Sequence, residues 1–374
     1  MTKPTVGILS MQRVINYGSF LQAYALKQLL KENGAGEVYF VDIIPGRILV
    51  ENPISKKSRL TRYWIRIREL ITAGTLISGL KTFIFFRMVG RSIRKSWPQL
   101  NLGKRPNTPF DIVIVGSDEV FNCTQDVPWG YSTQLFGDIP YSFTRKLVSY
   151  AGSFGYTNIE KLQFYGIDKE ICGFLKRYDA ISVRDKNSEY IISKLIGITP
   201  KIHIDPVLAY GYKQEINSFK KPPLTASYMI VYSYQDRIND EAEINAITDY
   251  ARSQGLKLIS IFCHYDWCDK AAVPKSPIEV LRWFKYAECI VTDTFHGTIF
   301  SIITASNFAT LIRPSNRNKV GYLLNSLNLN TKEADANTLH SILSNRVDYN
   351  ICNSILEHKR NEAKGYLKYI LNDI

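Results

Sequence analysis

At 374 residues the chain exceeds the roughly 150 of an ordinary domain, so two packed domains are expected. Apolar residues make up 45% and charged residues 22%, which excludes a disordered or fibrous chain. The formal net charge of +13 favours anionic partners such as phosphate, nucleic acid or lipid head groups. Six cysteines without a CxxC pair are too few for a disulfide scaffold, so a reduced, cytoplasmic compartment is the simplest expectation.

Residues 6–10 are apolar and too short for the core of a signal peptide, and they read as a first strand. A turn at Asn16-Tyr17-Gly18 follows. Residues 19–31 then place Phe20, Ala23, Tyr24, Leu26, Leu29 and Leu30 at helical spacing, with Gly34 as a terminator. Residues 37–44 alternate as a second strand, so the opening is a βαβ unit and implies a parallel sheet.

The positive charge is concentrated next. Between residues 56 and 105 stand thirteen Lys or Arg and one acid, Glu69, which accounts for +12 of the +13. Its most apolar run, 71–86, is 16 residues long and contains Lys81, short of the ~20 that cross a bilayer. Two readings stand for this insertion: a basic, apolar helix lying in an anionic membrane interface, or helices that bury one side and solvate the other. No nucleic-acid reader motif accompanies the charge, and nucleic acid is not expected as a partner.

Apolar strands at 111–115, 146–150, 179–183 and 201–204 each run into small or polar residues, where open α/β sheets bind ligands. Lys220-Lys221-Pro222-Pro223 reads as a linker. Strands and helices then alternate again at Tyr228–Tyr232, Glu241–Ser253, 257–262, Pro277–Tyr286, Cys289–Thr292, 297–304, 308–312 and 319–327, before a closing helix at 351–371. The expected fold is α/β: two Rossmann-like domains, 1–219 and 220–374, facing across a cleft.

The sharpest chemical segment is Thr292-Asp293-Thr294-Phe295-His296-Gly297-Thr298, where a strand ends and a histidine stands at a helix start. An anion bound there would raise the proton affinity of His296, the helix end would lower it, and the imidazole is a candidate acid or base. Capping or a core hydrogen bond is the bland reading. Arg184 after its strand offers a planar fork for carboxylate or phosphate, and Arg313 with Arg317 and Lys319 makes a second cationic loop. Asn16-Tyr17-Gly18-Ser19 lacks the spaced glycines of a dinucleotide fingerprint. Ser117, Asp118 and Asn122 suit sugar hydroxyls, although Asp118 also suits a helix N-cap. Cys263, His264 and Cys268 lack a fourth ligand, and no metal is expected. Ser153 is not in a nucleophile elbow.

Taken in order, Asn16 to Leu26 (NYGSFLQAYAL), Asp111 to Asn122 (DIVIVGSDEVFN), Ser149 to Gly155 (SYAGSFG), Ile181 to Asp185 (ISVRD), Asp205-Pro206-Val207-Leu208 and Ile290 to Ser301 (IVTDTFHGTIFS) resemble the polysaccharide pyruvyl transferase family. That resemblance implies the two-domain arrangement of B-type glycosyltransferases. It also implies transfer of pyruvate from phosphoenolpyruvate to two hydroxyls of a sugar, as a ketal, in a capsule or exopolysaccharide or its lipid-linked precursor. Phosphoenolpyruvate is then a donor substrate, and no cofactor is needed. His296 and Asp118 take the catalytic roles; Arg184, Thr294, Gly297, Arg313 and Lys319 hold the donor; Asn16, Tyr17, Ser117 and Asn122 hold the acceptor. Thr294 stands where many members carry arginine, as in a subgroup with Ser/Thr-Phe-His-Gly. Two other readings remain at this point: a glycosyltransferase using a nucleotide sugar on the same plan, and a non-enzymatic polyanion-binding module.

Overall fold

The computed structural model describes residues 3–50, 76–102, 108–124, 129–140, 142–222 and 224–372. Two parallel sheets organise it. The first holds β1 (Val6–Leu9), β2 (Val38–Phe40), β3 (Phe110–Asp118), β4 (Thr144–Gly152), β5 (Ser182–Val183) and β6 (Lys201–Ile202), in the order β2-β1-β3-β4-β5-β6. The second holds β7 (Tyr228–Tyr232), β8 (Lys257–Ile261), β9 (Lys270–Ala272), β10 (Cys289–Thr292), β11 (Phe308–Leu311) and β12 (Glu333–Ala334), in the order β12-β11-β10-β7-β8-β9. Strands covered by helices on both faces must be apolar throughout rather than alternating. Ile112, Val113, Ile114 and Val115 in β3 and Ile290 and Val291 in β10 are accordingly fully buried.

Each sheet reverses its winding once, between β1 and β3 in the first and between β7 and β10 in the second. At such a switch point the outgoing loops diverge and leave a crevice at the carboxyl ends of the strands. Helix Tyr17–Glu32 leaves the first crevice; it starts two residues before the periodicity predicts because the Asn16 side chain accepts from the Gly18 N–H at 2.7 Å and caps it. Helix Phe295–Ile303 leaves the second, capped in the same way by Thr294, whose Oγ1 accepts from the Gly297 N–H at 2.9 Å.

Of the basic insertion, residues 51–75 and 103–107 lie outside the described residues, and with them Arg59, Arg62, Arg66 and Arg68. The described part is helix Leu76–Ser96, 21 residues long. Although inserted in the first unit, it packs on the second: Thr82 Oγ1 lies 3.1 Å from His264 Nδ1, and Ser92 Oγ donates to the Pro274 carbonyl at 2.6 Å. The chain then returns to the first unit, where Lys27 Nζ donates to the Gln99 carbonyl at 2.6 Å and Leu102 bridges Phe40. No helix among the described residues is long and apolar enough to cross a membrane.

The closing helix, Tyr349–Asn372, also changes sides. It crosses back onto the first sheet, where the Tyr366 hydroxyl donates to the Ser149 carbonyl at 2.8 Å and the Tyr366 ring lies 4.7 Å from that of His203. His203 is buried there, with Nδ1 at 2.7 Å from Ser182 Oγ. Burial, assisted by Lys201 and Lys359, pushes its pKa down to about 4. Between about 6.5 and 4 the unfolded chain therefore carries a proton that the folded chain refuses. Stability is full above the unfolded value and falls as pH drops through this window, by roughly 3 kcal/mol at its lower end. Urea unfolding from pH 7 to 4 is expected to show this slope, and His203→Asn to flatten it.

Candidate active site

The two switch points face each other, and between them lies a cavity of about 340 Å³. Met11, Val14, Asn16 and Ser19 come to it from the turn and helix after β1, and Asp118, Glu119 and Asn122 from the end of β3. Tyr234 and Arg237 come from the loop after β7, Thr294, Phe295 and His296 from the start of the helix after β10, and Arg184 follows β5. Lys319 reaches in from helix Arg317–Ser326.

His296 sits where the two lobes touch. Its Nε2 is 3.9 Å from Asp205 Oδ2, and its ring lies against Gly18 at the start of the opposing helix. Burial is the largest influence on its pKa and lowers it; Asp205 and Asp118 pull the other way, and Arg184 and Lys319 add to the lowering. The net shift is downward, which favours the neutral imidazole. Two buried nitrogens of the cavity wall, His296 Nε2 and Arg184 Nε, have no hydrogen-bond partner among the described residues. Buried polar groups ordinarily have one.

Arg184 is almost wholly buried and is held on three sides. Its Nη1 donates to Asp205 Oδ2 at 3.1 Å and lies 3.6 Å from Asp118 Oδ1, while its guanidinium carbon sits 4.3 Å from the Phe295 ring centre. Asp205 is fixed in turn, because its Oδ1 caps helix Pro206–Tyr210 through the Val207 N–H at 2.9 Å. Asp118 ends β3 with φ of +80°, a left-handed position that turns its carboxylate toward Ser19 Oγ at 3.1 Å and the Glu119 N–H at 3.0 Å. It caps no helix among the described residues.

Glu119 and Lys319 pair across the lobes. Burial works against the charge on each, and for Glu119 the Lys319 ammonium overcomes it, with Arg184 and Asn122 adding, so that the carboxyl pKa falls to about 2. Glu119 likewise raises Lys319 against its burial. Asn16 makes a second inter-lobe contact, donating from Nδ2 to the Tyr234 hydroxyl at 3.1 Å.

The structure brings His296, Asp118, Arg184, Thr294, Lys319, Asn16 and Asn122 to one cavity and leaves four other expected site residues off its wall. Arg313 is spent on a two-pronged grip of Glu243, at 2.6 and 2.7 Å, and on Asp293, at 3.4 Å. Tyr17 is buried edge-on to Phe262, with ring centres 5.7 Å apart. Ser117 is fully buried. Gly297 carries no binding group of its own; a Cβ there would lie 2.1 Å from Thr292 Oγ1, so its bareness serves helix packing. In place of Arg313 the wall carries Arg237, whose Nε is 3.2 Å from Asp293 Oδ2. Arg237 lies outside every matching segment, and Glu119 and Asp205 lie within matching segments that gave them no role, although each follows the carboxyl end of a strand as Arg184 does.

A family profile for polysaccharide pyruvyl transferases matches residues 16–311. The chain belongs to that family. No curated protein matches it significantly. Among solved structures, S. aureus MnaA in complex with UDP is similar at a TM-score of 0.53 and 11% identity, over 99% of this chain and 98% of that one. UDP-GlcNAc 2-epimerase from Neisseria meningitidis bound to UDP-GlcNAc is similar at a TM-score of 0.47 and 8% identity, over 99% and 98%. With the two facing parallel sheets, the first likeness gives the pyruvyl transferase-family chain a GT-B-like fold of two Rossmann-like domains.

The contact between His296 and Gly18 leaves no room for a methyl group: an alanine Cβ at 18 would lie 2.3 Å from the imidazole Cγ and Nδ1. Gly18→Ala is expected to displace the ring and to cost about 1–3 kcal/mol in urea unfolding. Gly173→Ala, in helix Asp168–Leu175 with nothing within 4 Å of the new Cβ, is expected to leave stability unchanged or raised.

Proposed function

We propose that the protein transfers the pyruvyl group of phosphoenolpyruvate to two hydroxyls of a sugar, closing a ketal and releasing phosphate. The acceptor is a unit of a cell-surface polysaccharide or of its lipid-linked precursor. Family membership supports the reaction class. The observation that carries the residue assignment is the pair of unpartnered buried nitrogens, His296 Nε2 and Arg184 Nε, in an inter-lobe cavity that also holds Lys319 and Arg237.

The donor is strongly anionic, and the wall offers it cations held ready by Asp205, Asp118, Glu119 and Asp293. A bidentate guanidinium suits its carboxylate or phosphate. The start of helix Phe295–Ile303 supplies a further positive end. Protonation of the donor's C3 creates oxocarbenium character at C2, and a positioned acid contributes ~10²–10⁴-fold to such a step. His296 delivers that proton. One sugar hydroxyl adds to C2; a second forms the other C–O bond as the C2–O bond to phosphate breaks. Of the two hydroxyl protons, one restores His296 by way of Asp118 and the other leaves with phosphate.

Because burial favours the neutral imidazole, binding of the donor must draw a proton onto it from solvent: the donor's negative charge raises the histidine pKa. Calorimetric titration with phosphoenolpyruvate in buffers of different ionisation enthalpy is expected to show proton uptake near pH 7, and His296→Ala to lose it. In the same variant, phosphate release across a panel of diol sugars is expected to fall at least 100-fold with unchanged thermal unfolding; near-normal turnover would remove His296 from the mechanism. Stabilisation by a nucleoside diphosphate and not by phosphoenolpyruvate would overturn the reading in favour of glycosyl transfer.

A further inference from the structure

Helix Leu76–Ser96 has two unlike sides. Phe85, Val89, Ile93, Ser92 and Ser96 are buried, and they fix the helix to the protein. The opposite side, at positions 80, 83, 84, 87, 88, 91, 94 and 95, follows helical spacing and faces outward. Four large apolar side chains stand exposed on it: Leu80 at 59%, Phe83 at 53%, Ile84 at 47% and Met88 at 47%. Such residues scattered singly need no explanation, but four on one helical stripe do.

Their neighbours name the partner. The helix carries Lys81, Arg87, Arg91, Arg94 and Lys95 and no acid. None of the five pairs with a carboxylate among the described residues, in a protein whose cleft cations are all paired. Three of the four apolar side chains stand in the first half of the stripe and three of its four cations in the second. At 1.5 Å per residue the helix is about 30 Å long, but its length serves no crossing, since it is cationic and anchored along one side. An amphipathic helix with this pairing of apolar and basic groups rests in the head-group region of an anionic bilayer, with its apolar side chains inserted and its cations on lipid phosphates. We infer that this face docks the protein on an anionic lipid surface.

The anchoring side adds a geometric consequence. The helix grips the loop after β8 through His264 and the segment after β9 through Pro274, and Phe262 in the first of these lines the cleft. Docking through the helix therefore holds the cleft at the membrane. That this brings it to a lipid-borne acceptor rests on the pyruvyl-transfer reading; the docking itself does not.

Sedimentation of the full-length protein with vesicles tests the inference without turnover, so it stands or falls apart from the assignment of His296. Phosphatidylcholine vesicles containing 30% phosphatidylglycerol are expected to carry the protein down, pure phosphatidylcholine vesicles are not, and rising salt is expected to weaken binding. Arg87→Glu with Arg91→Glu is expected to reduce binding at least tenfold, as is Phe83→Ser with Ile84→Ser, with thermal unfolding of each unchanged. All four positions are exposed, so the variants are expected to fold. Equal binding to both vesicle types, unaltered binding by both variants, preference for an oligonucleotide over vesicles, or a dimer that the Phe83→Ser/Ile84→Ser protein loses would each overturn it.

Discussion

A charge can stay in a protein interior only beside an opposite charge or a full set of hydrogen bonds, and this constraint organises the whole cleft. Arg184, with 3% of its side chain exposed, and Asp205, with none, hold each other. Asp205 also caps a helix of the first lobe, and Arg184 lies on a phenylalanine of the second. One ion pair therefore ties the register of the lobes to the position of His296. Asp293 repeats the device on the far wall between Arg237 and Arg313. Breaking one member of such a pair strands the other, so these residues are bound together as a set rather than singly.

The same pairing tempers the simplest electrostatic picture of an anion site. The cleft is not a bare cluster of positive charge, since every cation lining it faces a carboxylate. What the acids provide is placement. Long side chains that would otherwise sample many rotamers are fixed before a ligand arrives, which lowers the entropic cost of binding it. His296 is not held in this way: its Nε2 is buried without a hydrogen-bond partner among the described residues.

Much of the fold was legible because parallel strands are apolar on both faces and their boundaries are marked by glycine, proline and aspartate. Strands β7 and β10 and helices Glu241–Ser253 and Pro277–Tyr286 follow the periodicity residue for residue. The two edge strands of the second sheet, β9 and β12, did not show, since three and two residues are too few to display a period. In the site, strand ends pointed to Arg184, Asp118 and His296 because the chemistry follows local sequence there. Arg313 and Arg237 were not separable in that way. Both follow strands of one sheet, and only the distant Glu243, which occupies Arg313, decides which of them reaches the cavity. The seat of the basic helix on the second lobe was equally hidden, because charge and hydropathy report which side is buried and not against what.

The closing helix, which starts from the second lobe and ends on the first, has a consequence for how the two halves relate. Together with the inserted basic helix and the linker between helix Lys213–Ser218 and β7, it makes the backbone pass between the lobes in three places. Neither half is a self-contained cassette. Excising or exchanging one would tear out a helix that completes the other, and the lobes are joined by several shared struts instead of a single tether.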